Sequence, residues 1–254
     1  KHMKPLFILF TISLLFGCTS KKNILYVQDI DRANSAELHF ETPTIQANDI
    51  LKITVGTLEP SAAFPYNKLT DTGGSASNLE LMRLEGYEVS EALTIEFPQL
   101  GILSVQSQTP IQLATAIKQR LELEGHLIRP TVNVRLLNAK FTVLGEVVRP
   151  GTYNFTESKL NLLQAIGLAG DLTINGQRKN IKLIREIDQK RTVFHIDLTA
   201  SDWMNSESYY IYPNDVIIID PNNTKVKSAG LVGNVGTVLT VASVLLSTII
   251  LLTR

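Results

Sequence analysis

The 254-residue chain carries one cysteine and four histidines, the residue types from which nucleophilic, acid–base and metal chemistry is most often built. Cys18 is the only thiol, so it makes neither an internal disulfide nor a Cys-rich zinc site. His39, His126 and His195 are scattered, with no H-x-x-x-H or H-E-x-x-H spacing. There is no G-x-S-x-G elbow, no P-loop and no Gly-rich dinucleotide turn. Glu122 and Glu124 fall at the end of a helical pattern and read as a solvated face. The run Tyr209-Tyr210-Ile211-Tyr212 could stack on sugar rings, although alternating aromatics on a strand more often pack a core. A glycan hydrolase would need only two carboxylates, but no spacing selects such a pair. The sequence therefore assigns no catalytic residue, no metal ligand and no cofactor.

The wider composition narrows the class. Lys and Arg total 24 against 24 Asp and Glu, which argues against a nucleic-acid partner, since that affinity rests on a basic surface. The length allows one or two domains with real cores, and the 44% hydrophobic content is not that of a disordered chain. The apolar residues, however, are bunched at the two ends.

At the N-terminal end, with Met3 read as the start, Lys4 supplies a positive charge ahead of the apolar run Leu6 to Phe16. That run is too short for a span, which needs about 20 residues, and suits a signal peptide. It ends Leu15-Phe16-Gly17-Cys18, which resembles a bacterial lipoprotein lipobox: an aliphatic residue, a small residue, then cysteine. The resemblance implies a signal peptide over 1–17 and lipidation of Cys18, with several buried acyl chains making a stable anchor in outer-membrane lipid. Thr19, where a retention signal would have Asp, favours outer-membrane sorting. A polar tether is expected over 18–40.

The middle of the chain reads as two small α/β modules. Ile45 to Val55 is a turn feeding a strand, with Ile53 and Val55 alternating with Lys52 and Thr54. Residues 60–86, with Pro60, Pro65, Gly73 and Gly74, read as a long loop. Leu93 to Phe97 alternates as a strand. Thr109-Pro110-Ile111-Gln112 spells a capping box, with Leu113, Ala114, Ile117 and Leu121 on one helical face and Gly125 at the end. Val132, Val134 and Leu136 alternate next. The second module opens with a strand at Phe141 to Val147 and a turn at Arg149 to Tyr153, followed by an apolar helix from Leu160 to Gly170. Strands are expected at 181–185, 192–198 and 216–219. Ile45-Gln46-Ala47-Asn48-Asp49 is echoed by Ile211-Tyr212-Pro213-Asn214-Asp215, each followed by an aliphatic pair. An Asn-Asp turn launching a buried strand explains both copies better than an Asp acting as ligand or base.

Together these segments resemble the outer-membrane polysaccharide export proteins of the Wza type. Gln46-Ala47-Asn48-Asp49-Ile50-Leu51-Lys52-Ile53-Thr54-Val55 is similar to the opening of the family's export domain, with Asn48 in place of the usual Gly. Ile95 to Gly101 is similar to its hairpin, and Arg129-Pro130-Thr131-Val132-Asn133-Val134 to its following strand. Val143-Leu144-Gly145-Glu146-Val147-Val148-Arg149-Pro150-Gly151-Thr152-Tyr153 is the most specific piece, similar to the opening of a soluble-ligand-binding β-grasp (SLBB) domain. Asn48, Asp49, Gly145, Glu146, Pro150 and Gly151 are thus structural motif residues.

The resemblance implies an α+β chain with a polysaccharide export domain over 41–138, one SLBB-type β-grasp domain over 139–222 and a C-terminal transmembrane amphipathic helix over 228–254. It also implies a homo-oligomeric ring, shorter than in relatives with two β-grasp modules. Such a ring would export capsular or extracellular polysaccharide passively and be gated by an inner-membrane polysaccharide copolymerase. The alternative is a periplasmic lipoprotein that binds glycans without forming a channel.

Ala229 to Leu252 carries no charge and would measure about 36 Å as a helix, enough to span a bilayer. On a helical wheel Gly233, Gly236, Thr237, Thr240, Ser243 and Ser247 fall within an arc of about 140°. The remaining surface is mostly aliphatic. That stripe suits either a pore lumen with weak hydrogen-bonding capacity or a close helix–helix seam.

Overall fold

A computed structural model describes residues 21–32, 40–68, 85–187, 190–228 and 235–252. The expected lipidation site Cys18 and the rest of 1–17 lie outside the described residues.

The first module runs β1 Ile50–Gly56, α1 Pro60–Ala63, β2 Tyr87–Glu88, β3 Thr94–Phe97, β4 Gly101–Ser104, α2 Pro110–Leu123 and β5 Thr131–Leu136. Strand β1 lies between β2 and β5, antiparallel to both, with Ile53 opposite Val134. Alternation puts Leu51, Ile53 and Val55 into the core and Lys52 and Thr54 outside. Strands β3 and β4 form a separate hairpin, turning through Gln99 and Gly101, both with positive φ. Helix α2 starts where the sequence says it should. Thr109 accepts from the Gln112 amide, the Gln112 side chain accepts from the Thr109 amide, and Pro110 takes the first turn. Gly125, at φ +74°, ends it. Its Leu113, Ile117 and Leu121 are fully buried, each contributing roughly 1.5–3 kcal/mol by leaving water.

The second module runs β6 Lys140–Gly145, β7 Gly151–Asn154, β8 Leu160–Asn161, α3 Leu162–Leu168, β9 Gly176–Ile187, β10 Lys190–Ile196, β11 Tyr210–Ile211 and β12 Val216–Pro221. Its main sheet has the order β10-β9-β12-β6-β7, in which only the β12–β6 pair is parallel. Phe141, Val143, Ile181, Leu183, Ile217 and Ile219 form one core with Leu162, Ala165 and Ile166 of α3, so the helix covers one sheet face. β8 and β11 make a small second ladder beside it.

Several boundaries differ from the sequence pattern. Leu160 was expected in the helix, but it pairs with Ile211 in β8. Asn161 then caps α3 through a reciprocal hydrogen-bond pair with Gln164, so the helix starts at Leu162. β9 extends well beyond 181–185 because β10 pairs with it as far as Ile187 and β12 back to Gly176, and both Arg178 and Arg185 are buried along it. The turn expected at 149–153 is tighter, and β7 begins already at Gly151.

Part of the expected tether is docked on the second module. The Val27 and Gln28 amides donate to the carbonyls of Leu198 and Thr199 at 2.9 Å, and the Tyr26 hydroxyl donates to Asp171 at 2.5 Å. Burial and the Asp171 carboxylate push that phenol well above its ordinary pKa.

At the other end lie α4 Asn223–Ser228 and α5 Val235–Leu252. Among the described residues no helix is long and apolar enough to cross a membrane. Helix α5 has 18 described residues, about 27 Å of rise against a hydrocarbon core of about 30 Å. Residues 229–234 lie outside the described residues, and α5 alone does not supply the span expected over 228–254.

Candidate functional site

The Asn-Asp echo is a structural repeat. Asn48 and Asn214 both have left-handed backbones, φ +67° and +68°. The Gln46 amide donates to Asp49 Oδ2 and the Tyr212 amide to Asp215 Oδ2, each at 2.8 Å. The Asp amides donate back to the Gln46 and Tyr212 carbonyls, each at 3.2 Å. An L-residue at φ near +67° is tolerated best when it is Asn, which explains how Asn48 stands where the resemblance calls for Gly.

Both turns are tied to the short connection between the modules. Asn138 accepts from the Ile50 amide and donates to the Asn48 carbonyl, both at 2.9 Å. The Asn214 amide donates to Lys140 O, and the Thr142 amide to Asp215 O. A groove of about 980 Å³ runs between the modules, lined in part by Asp49, Leu136, Phe155 and Pro213.

The carboxylates of the two turns differ. Asp215 is buried and takes Arg185 Nε and Nη2 at 3.0 and 2.8 Å. Arg185 also donates to the carbonyls of Glu207 and Tyr210, and its guanidinium lies 3.9 Å from the Tyr212 ring centroid. Burial pushes the Asp215 carboxyl above its ordinary value, against the pull of the guanidinium. Asp49 is also buried and has no cation partner among the described residues. Burial raises its pKa to about 6, opposed only by the Gln46 amide.

The second motif is also structural in place. Gly145 sits at φ +92°, and a Cβ there would lie 2.0 Å from the Ile219 carbonyl oxygen. The Glu146 amide donates to that same oxygen at 2.9 Å, while its carboxylate accepts from the Thr173 hydroxyl at 2.7 Å. The residues ahead of Pro150 dock on the end of α3, Val148 donating to Asp171 O and Arg149 to Ala169 O. A Cβ at Gly151 meets nothing within 4 Å.

Of the stripe expected to line a pore or a seam, Gly233 lies outside the described residues. Gly236, Thr237, Thr240, Ser243 and Ser247 all fall within α5. Thr240 donates to Gly236 O, Ser243 to Thr240 O and Thr248 to Val244 O, each at 2.8 Å. Their donors are thus satisfied along the helix itself, which makes the face only weakly polar. On the opposite side Leu239, Val241 and Leu246 stand more than half exposed.

The described histidines serve local contacts, His126 with Glu124 at 3.3 Å and His195 with Asn180 at 2.7 Å. The tyrosine run splits. Ile211 is core, and the half-buried Tyr209, Tyr210 and Tyr212 all line a cleft of about 640 Å³, Tyr209 also packing on Trp203. Sequence reasoning missed Arg185, which pattern alone shows only as a strand-ending charge, and Asn138, whose role appears only once the two modules meet.

Residues 41–137 match the family described as polysaccharide biosynthesis/export protein, and residues 140–197 match the SLBB domain. Among curated relatives, the chain is 29% identical over 195 residues to the capsule polysaccharide export outer membrane protein CtrA of Neisseria meningitidis serogroup A, covering 76% of this chain and 48% of that protein. It is 26% identical over 205 residues to the EPS I polysaccharide export outer membrane protein EpsA of Ralstonia solanacearum, covering 77% and 52%. The chain therefore spans about half the length of the curated relatives it matches.

Proposed function

We propose, from the chain's membership of the polysaccharide biosynthesis/export protein family, which is not a family of enzymes, that it is one subunit of an oligomeric outer-membrane export channel for capsular or extracellular polysaccharide. The observation that carries this reading is the pairing, in order, of a polysaccharide export domain with an SLBB domain, joined through Asn138 and followed by an uncharged helix. Acyl chains on Cys18 anchor the subunit in the outer membrane, with both modules in the periplasm. The uncharged helix α5 inserts in the outer membrane, and copies of it assemble around a lumen. Hydroxyls already satisfied within the helix leave a lining that wets a sugar polymer without retaining it. An inner-membrane copolymerase gates the ring.

A second reading, a tethered glycan-binding lipoprotein that forms no channel, draws on the aromatic cleft of the second module. Deleting residues 229–254 separates the two. A channel loses polymer export while the soluble modules keep their melting transition. Normal surface polysaccharide after that deletion would sink the channel reading.

A further inference from the structure

The tyrosine run at 209–212 is only half explained by packing. Tyr209 stacks toward Trp203 at 5.8 Å and belongs to the edge of the core. Tyr210 stands edge-on to both Phe40 and Tyr209, with centroids at 4.9 and 4.8 Å, and is half-buried on the lining of the cleft. Tyr212 is held under Arg185 and tied by its hydroxyl to the Glu41 carbonyl at 2.9 Å. These rings are fixed before any ligand arrives, which lowers the ordering cost of binding.

They border a cleft of about 640 Å³, within the usual range for small-ligand sites. The exposed side chains of Glu207 and Lys190 line it, and Ser206, also on the lining, is held in place by donating its hydroxyl to the Trp203 carbonyl at 2.7 Å. The one fixed cation, Arg185, is already answered by Asp215. With Glu41 and Glu207 also on the cleft, no positive excess remains to draw a polyanion.

We propose that this cleft is a binding subsite for uncharged sugar residues, with Tyr210 and Tyr212 offering ring surface to the apolar C–H side of a sugar, and the exposed Glu207 carboxylate taking its hydroxyls. The subsite rests on the export reading, since it supplies that pathway with a contact point on the polymer ahead of the membrane.

The test uses the full lipidated chain in detergent. It is titrated with maltohexaose, cellohexaose and a mannohexaose as neutral probes, and with a galacturonic acid hexamer as the anionic one. Trp203, the only tryptophan in the chain, lies next to Tyr209 and reports by fluorescence. At least one neutral probe is expected to give a saturable shift, with the anionic hexamer at least about tenfold weaker. Tyr210→Ala should weaken binding by about tenfold or more, and Glu207→Gln, an exposed side chain, by a smaller factor without changing the melting temperature. The proposal is overturned if no neutral probe binds up to about 10 mM, if the anionic hexamer binds best, or if neither variant alters affinity. A flat titration alongside export that depends on residues 229–254 removes the subsite and leaves the channel. Saturable binding alongside export indifferent to that deletion does the reverse.

Discussion

Asp49 and Asp215 close the same turn, each accepting a backbone amide at 2.8 Å from the residue three positions earlier, yet among the described residues only Asp215 has a cation. Both side chains are buried. The repeat therefore separates two contributions of an aspartate at such a turn: the hydrogen bond that shapes the backbone, common to both, and the charge, compensated in one copy only.

At Asp215 the charge, though burial works against it, is the counterion of a buried guanidinium. Arg185 is 7% exposed and gets two of its hydrogen bonds from this carboxylate. Asp215→Asn keeps the turn but leaves a buried guanidinium without a counterion. The variant should lose about 3–5 kcal/mol, read as a lower denaturant midpoint at unchanged slope. A loss within experimental error would show that solvent reaches Arg185.

At Asp49 the charge is a liability. Its folded pKa of about 6 lies above the ordinary 3.8, so the folded state binds the extra proton between those values. This group's stabilising effect is therefore fully present below about pH 4 and is lost as pH rises through about 6. The cost at neutral pH is on the order of 3 kcal/mol. Asp49→Asn retains an acceptor for the Gln46 amide and removes the charge. It should exceed wild type in stability at pH 8, with the difference fading toward pH 4. A difference that does not change with pH would contradict this assignment.

Gly145→Ala tests the close approach of two strands. The new Cβ would meet the Ile219 carbonyl at 2.0 Å on a backbone with φ +92°, so β6 and β12 must part. The expected loss is at least about 2 kcal/mol, against a change within about 0.5 kcal/mol for Gly151→Ala, where the site is open. Thermal melting of both variants side by side checks the contrast.

For the channel reading, cysteines placed along α5 discriminate lumen from lipid. Thr240→Cys and Ser247→Cys should react with a water-soluble maleimide in intact membranes, while Leu239→Cys and Leu246→Cys stay protected. Protection of all four positions would point to a helix seam.

Much of this protein is legible locally. The Thr109 capping box, the alternation of β1 and the turn at Asn48-Asp49 each depend on residues within a few positions of one another, so pattern and structure agree. Leu160 was misread for the same reason: its spacing suits a helix, and only its pairing with Ile211, far along the chain, makes it a strand. The tyrosine run could not be divided into core and cleft from spacing, because that depends on Phe40 and Arg185 arriving from other segments.

By itself the sequence determined the family, through motif stretches such as Val143 to Tyr153 that are similar to its domains, and the local turns and strands, which depend only on neighbouring residues. The tertiary structure alone decided which of two identical turns holds a counterion. Charge compensation acts across space, and Arg185 reaches Asp215 only because β9 pairs with β12.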